Sequence, residues 1–111
     1  MKLLLDENLP KKLKLDYFEH EIYTVREKGW NGIKNGLLLQ LLTEQGFDAL
    51  LTFDKNLQYQ QNFRKYTITV FVMSAPINSY SVLTKLTPKI KEYLNCSILP
   101  IGPIIIEDTL A

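Results

Sequence analysis

The chain has 111 residues, 46% of them hydrophobic, and its 13 basic and 12 acidic residues leave a formal net charge of +1. This length and apolar content are typical of one folded domain with a core, and the near-neutral charge excludes a global field that attracts nucleic acid or membranes. A lone cysteine, Cys96, forms no internal disulfide, and no apolar run approaches the roughly 20 residues of a membrane span. We therefore expect a single domain over residues 1–111 that is cytoplasmic and does not enter a membrane.

The first ten residues predict a buried strand that leads directly into a helix. Three consecutive leucines are too few for a core helix but suit a strand buried on both faces, and Asp6 and Glu7 end this run. A helix is predicted over 9–19, with Asn8 as its N-cap and Pro10 in its first turn. The two acids are thus expected at the carboxyl end of a strand.

The later elements follow from the same kinds of pattern. The predicted elements are a strand over 22–25, a loop over 26–35 anchored by Trp30, a helix from Asn35 to Gln45, a strand over 47–53, a short helix or ordered loop over 55–66, a strand over 67–73, a helical region over 79–94 interrupted at Pro88, and an edge strand around 104–106. Asn35 is the expected N-cap of its helix and Gly46 the C-terminal glycine. At Pro88, either Thr87 caps a second helix or the helix kinks. This alternation predicts a doubly wound α/β domain with a mostly parallel five-stranded sheet.

Two of the predicted strands end in an aspartate, Asp6 and Asp54. Parallel strands end at the same edge of a sheet, so the two carboxylates can share a cation if their strands are neighbours at roughly 5 Å. Carboxylate oxygens suit Mg²⁺ or Mn²⁺, and the only histidine, His20, and the only cysteine are far away in the sequence, which argues against zinc.

The segments LLLDENLP over 3–10, KNGLLL over 34–39 and LLTFDKNL over 50–57 resemble the small PIN-like family, compact relatives of the PIN-domain nucleases. The resemblance implies a three-layer α/β/α PIN-like domain with Mg²⁺- or Mn²⁺-dependent ribonuclease activity. It also implies RNA as the substrate and the toxin of a toxin–antitoxin pair as one biological role. An antitoxin protein and a second copy of the chain are then the candidate partners.

The resemblance assigns roles to five residues. Asp6 and Asp54 would hold the metal, and Glu7 would assist catalysis through a bound water. Asn35 and Asn56 stand where relatives of this kind commonly carry acids, and their amide oxygens would complete the metal site or orient water or phosphate. Because these amides bring no negative charge, a second divalent cation would be weakened most.

A group of aromatic and basic residues follows Asp54 and includes Lys55, Tyr59 and Arg64. Such residues stack on the bases and bind the phosphates of single-stranded RNA, and Lys11 would flank the same rim. Alternatively, the rings cover the edge of the sheet while the charged groups remain in water.

The candidate site residues also have structural interpretations. Asn8 and Asn35 can be helix caps with no further role, and Asp6 and Asp54 can be residues that form turns. Glu7 can be a solvated acid, because alternation along a strand points it away from Asp6. The asparagines in place of acids favour, as the alternative function, a catalytically inactive PIN-like module that binds a partner protein or RNA.

Overall fold

The computed structural model describes residues 1–57 and 65–107. Five parallel strands form one sheet in the order β2–β1–β3–β4–β5. The strands are β1 (Lys2–Leu5), β2 (Glu21–Thr24), β3 (Ala49–Thr52), β4 (Thr69–Ser74) and β5 (Gly102–Glu107). The helical elements are a 3₁₀ helix (Lys11–Tyr17), α1 (Asn35–Glu44), α2 (Tyr80–Leu83), a 3₁₀ turn (Thr84–Leu86) and α3 (Thr87–Leu94). The predicted α/β class is confirmed, and in the described ranges no helix is long and apolar enough to cross a membrane.

Both faces of the sheet are buried. Leu3 and Leu5 pack on the side covered by the 3₁₀ helix, α2 and α3, whereas Leu4 packs on the side covered by α1. All three leucines are at most 1% exposed, which explains why β1 reads as a continuous apolar run instead of an alternating one. With both faces covered, the edge formed by the carboxyl ends of the strands is the natural place for a ligand.

The predicted helix over 9–19 is instead a shorter 3₁₀ helix that begins after Pro10. A 3₁₀ helix rises about 2.0 Å per residue, so its seven residues span about 14 Å. This length is close to the roughly 13 Å of the four-residue strand β1. An α-helix of seven residues would span only about 10 Å. Asn8 does not cap it, because its Oδ1 accepts a hydrogen bond from the Phe53 N–H at 3.4 Å. Leu13 and Tyr17 are buried against the sheet, as their spacing predicts.

Helix α1 begins one residue before the prediction assumed. Lys34 occupies the N-cap position and Asn35 is the first helical residue, so the expected Asn35 cap is wrong. At the other end, Gly46 has the predicted left-handed conformation, with φ of +75°. The Phe47 N–H reaches back to the Leu42 carbonyl at 2.9 Å, as in a Schellman motif, so the predicted C-terminal glycine is confirmed.

The remaining elements lie close to their predicted positions. Strands β2 to β5 differ from the predicted ranges by one or two residues at each end. Of the two alternatives at Pro88, the structure has a second helix, but Leu86 and not Thr87 is the N-cap of α3, and Thr87 and Pro88 begin the helix. Strand β5 is an edge strand, as predicted, and Trp30 packs against Phe47 with ring centroids 6.0 Å apart. Most of the segment predicted over 55–66 lies outside the described residues.

A half-buried acid, Asp16, ties the 3₁₀ helix to the C-terminal helices. Its carboxylate accepts hydrogen bonds from the hydroxyls of Tyr80, Thr84 and Thr87 at 2.7, 2.6 and 2.8 Å. Burial alone would raise the pKa of Asp16, but these hydrogen bonds and the positive charge of Lys91 lower the pKa below its ordinary value. The ionised carboxylate therefore stabilises this face of the fold.

We expect Asp16→Ala to lower the free energy of unfolding by about 1–3 kcal/mol at neutral pH, because one buried and two half-buried hydroxyls lose their acceptor. The folded-state pKa is lowered, so this contribution is complete above the ordinary aspartate pKa of about 3.9 and is lost as the pH falls through the folded value. Urea unfolding at several pH values measures the difference, which should shrink in acid. Glu92→Ala, an exposed acid on α3, is the control, and an equal loss at all pH values would contradict the prediction.

Candidate functional site

Asp6 and Asp54 lie where the direction of the sheet connections reverses. From β1 the chain crosses to β2 on one side, and from β3 it crosses to β4 on the other, so β1 and β3 are neighbours at a topological switch point. Asp6 directly follows β1, and its N–H donates to the Leu51 carbonyl of β3 at 2.9 Å. The two acid-terminated strands are therefore adjacent, as the proposed metal site requires.

A single buried hydroxyl connects the two aspartates. Thr52 is 0% exposed, donates to Asp6 Oδ2 at 2.7 Å and accepts from the Asp54 N–H at 3.1 Å. The sequence interpretation missed this residue. The available signal was a polar residue at the end of the apolar strand β3, two positions before Asp54.

Asp6 is the most buried acid of the site, at 8% exposure. Its Oδ1 accepts the Glu7 N–H at 2.9 Å, so each of its two oxygens has a donor. Burial raises the pKa of Asp6, the hydrogen bonds from Thr52 and Glu7 lower it, and the negative charges of Glu7 and Asp54 raise it again, with a net upward shift. An ionised Asp6 therefore costs stability unless a cation lies nearby.

Asp54 is half-buried and is also held through both oxygens. Its Oδ2 accepts from Asn35 Nδ2 at 3.2 Å, and its Oδ1 accepts from the Asn56 N–H at 3.0 Å. Asn35 thus reaches the site from the first turn of α1, which explains why its side chain does not cap the helix. Asn56 contributes its backbone, and this residue is exposed.

Glu7, Lys11 and Asp6 all line a cavity of about 420 Å³ between the carboxyl ends of β1 and β2. The alternative interpretation of Glu7 as a solvated acid has its side chain pointing away from Asp6. Both residues line this cavity, because β1 ends at Leu5 and strand alternation no longer applies beyond it. Asn31 donates to Glu7 Oε2 at 3.4 Å. The predicted candidates Glu7 and Lys11 are therefore brought to the acid pair.

The other basic candidate that the structure describes lies on the opposite side of the acid pair. The Nζ atom of Lys55 lies 5.8 Å from the Phe53 ring centroid. Lys55 also lines a second cavity, of about 490 Å³, at the carboxyl ends of β4 and β5, together with Ser74, Lys85 and Glu107. Tyr59 and Arg64 lie outside the described residues. Lys11 and Lys55 therefore flank Asp6 and Asp54 instead of forming one cluster.

The donor set suits one hard cation and does not suit a pair. Across residues 1–57 and 65–107, no group of three or more His, Cys, Asp or Glu side chains is positioned to hold a metal. Each carboxylate oxygen of Asp6 and Asp54 accepts one hydrogen bond and keeps a second lone pair for a cation. Mg²⁺ is commonly bound by one or two carboxylates, waters and substrate phosphates, which this site can supply.

The remaining titratable candidate, His20, lies at the opposite edge of the sheet. Its Nδ1 is 3.2 Å from the Met1 nitrogen, beside the amino ends of β1 and β2. Comparison with family models, with curated proteins and with solved structures finds no match. The resemblance to the PIN-like family therefore depends on the sequence segments quoted above and stays a hypothesis.

We expect Asp6→Asn to stabilise the protein relative to the wild type at neutral pH in the presence of EDTA. The raised pKa means that ionisation of Asp6 penalises the folded state; this penalty is absent below the ordinary pKa of about 3.9 and grows as the pH rises through the folded value. The gain measured by urea unfolding should therefore increase from acid to neutral pH.

Asp48→Asn is the matched control for that experiment. Asp48 lies at the amino end of β3, where its Oδ2 accepts the Lys2 N–H at 2.7 Å. This control should show no comparable gain on approaching neutral pH. A gain for Asp6→Asn that is absent or independent of pH would contradict the assigned electrostatics.

Proposed function

We propose that the chain is a Mg²⁺- or Mn²⁺-dependent ribonuclease of PIN-like type, with one metal held by Asp6 and Asp54. The observation that carries the proposal is that Asp6 and Asp54 follow neighbouring strands at the switch point of a parallel sheet, where the Thr52 hydroxyl contacts the Asp6 carboxylate and the Asp54 backbone N–H. Two acids placed together in a partly buried position repel one another, and a divalent cation would offset that repulsion.

Each residue has a role in this proposal. The metal, when bound, would lower the pKa of a water molecule and hold the scissile phosphate. Asp6 and Asp54 would bind it, and the hydrogen bonds from Thr52 to Asp6 and from Asn35 to Asp54 orient the two carboxylates, as outer-shell partners commonly do. Glu7 is exposed on the same cavity and accepts the proton of the attacking water.

The test is cleavage of labelled single-stranded RNA with Mn²⁺. We expect EDTA, Asp6→Ala and Asp54→Ala each to reduce the rate by about a hundredfold or more, because a metal contributes several kcal/mol of stabilisation to the transition state. Asp48→Asn, an acid at the opposite edge of the sheet, should cleave like the wild type. Cleavage that survives both alanine substitutions would contradict the proposal.

The same resemblance extends the proposal to the toxin of a toxin–antitoxin pair, with an antitoxin protein as partner. Expression of such a toxin arrests growth, and Asp6→Ala should relieve the arrest in proportion to the lost RNA cleavage. Growth arrest that persists in this variant would separate toxicity from the acid pair.

One observation favours the alternative, a catalytically inactive PIN-like module. The Asn35 amide donates to Asp54 Oδ2, so a neutral donor already occupies a position that a third acid would need in a stronger metal site. The site then holds a carboxylate pair without the charge that a tightly bound divalent cation requires. In this case the fold would bind RNA or a partner protein without cutting it.

Asn35→Asp tests how far the absence of a negative charge at position 35 weakens metal binding. In EDTA we expect the variant to be less stable than the wild type by about 1–3 kcal/mol, because a hydrogen bond to Asp54 is replaced by charge repulsion. Mn²⁺ should then raise its melting temperature more than that of the wild type, since three carboxylates surround the cation.

Asn35→Ala is the matched control, because it removes the same hydrogen bond without adding a charge. If Mn²⁺ stabilises the aspartate and alanine variants equally, no metal site lies at this position. Asn56 needs no parallel substitution, because the structure assigns its backbone N–H, and not its side chain, to Asp54.

A further inference from the structure

The cavity beside Asp6 combines a buried apolar floor with a polar rim. Leu5, Leu9 and Val25 line it and are each at most 5% exposed. The rim contains Asp6, Glu7, Lys11, Thr24, Arg26 and Asn31. Its volume of about 420 Å³ lies in the range of roughly 300–1,000 Å³ that is typical of small-ligand sites. The cavity can therefore enclose a single small unit with both an apolar and a charged part.

The two cations of this rim have no ionic partner in the described part of the chain. Lys11 and Arg26 are exposed and come from different elements, the 3₁₀ helix and the loop after β2. Neither forms an ion pair or side-chain hydrogen bond with a described residue, whereas nearby Lys14 is paired with Glu27 at 2.7 Å. Two unpaired cations that converge on one cavity suit an anionic ligand.

Asp6 belongs both to this cavity and to the acid pair. A phosphate held at the rim by Lys11 and Arg26 would therefore lie next to the position proposed for the metal. A nucleotide matches the remaining features, because its sugar and base can cover the apolar floor while its phosphates meet the cations. We propose that this cavity holds one unpaired nucleotide of an RNA strand, with Lys11 and Arg26 on its phosphates; the inference deepens the proposed ribonuclease function and depends on it for the choice of RNA.

The acids of the same rim oppose this binding when no metal is present. Glu7 is exposed on the cavity and repels a phosphate, while Lys11 and Arg26 attract it. Removal of Glu7 and removal of the cations must therefore shift RNA affinity in opposite directions. A general loss of folding cannot produce this pattern, since it would weaken binding in every variant.

The experiment measures the fluorescence anisotropy of a short labelled oligouridine in EDTA, where metal-dependent cleavage cannot occur. We expect Lys11→Gln and Arg26→Gln each to weaken binding roughly fivefold at about 0.1 M salt and to reduce the salt slope by about 0.7, the value for one phosphate contact with a single strand. Glu7→Gln should tighten binding. A hairpin RNA of equal length should bind more weakly, because its paired nucleotides cannot enter the cavity.

Lys12→Gln is the matched control. Lys12 is the next residue along the 3₁₀ helix, but its Nζ lies 4.8 Å from the Tyr80 ring centroid and it does not line the cavity. An unchanged affinity in the Lys11→Gln, Arg26→Gln double variant would overturn the inference. So would equal affinity for the hairpin, or a wild type that does not bind the oligonucleotide at low salt.

Binding and cleavage separate this inference from the proposed function. If the cation variants lose affinity but the wild type cleaves no RNA with Mn²⁺, the nucleotide cavity stands and the ribonuclease fails. If cleavage depends on Asp6 and Asp54 while RNA affinity does not depend on Lys11 and Arg26, the ribonuclease proposal stands and the nucleotide cavity is wrong.

Discussion

The buried hydroxyl of Thr52 is the interaction on which the candidate site depends. It lies at the end of β3, directly beside the residue that follows β1, and it contacts the side chain of one aspartate and the backbone of the other. Without it, Asp6 would lose a hydrogen bond that favours its ionised form in a position where burial already opposes ionisation. The sheet supplies the rest of the constraint, because parallel neighbours necessarily end together.

This arrangement is not needed to build the fold. An apolar residue at position 6 would extend the buried run of β1, whereas the aspartate brings a carboxylate into a site that raises its pKa, close to a second carboxylate. Each of the four carboxylate oxygens has a donor, so both side chains are held in defined orientations. A pair of oriented acids, one of which costs stability when it is ionised, is typical of a site selected for binding or chemistry, which is why we favour a ligand here over a turn-forming role.

The fold was largely predictable because its signals are strong and local. The short apolar runs, the glycine at position 46 and the acid after each of two strands depend on few neighbouring residues. The asparagine caps failed for the opposite reason. Asn8 and Asn35 have the residue type of an N-cap, but each side chain hydrogen-bonds to the segment that follows β3. Asn8 accepts from the Phe53 N–H, and Asn35 donates to Asp54. Tertiary contacts of this kind leave no periodic pattern, and the same holds for the Asp16 hydroxyl cluster, which joins residues about 70 positions apart.

The charges of the site connect its two proposed ligands. The cavity rim carries two acids and two cations, so without a metal the acids offset part of the attraction that Lys11 and Arg26 exert on a phosphate. A divalent cation at Asp6 and Asp54 would offset the acids and leave Lys11 and Arg26 to act on the phosphate. By thermodynamic reciprocity, bound RNA would then raise the affinity for the metal by the same factor. A site with only two carboxylates can therefore hold its cation weakly alone and firmly with substrate, so the asparagines at positions 35 and 56 are compatible with metal-dependent chemistry.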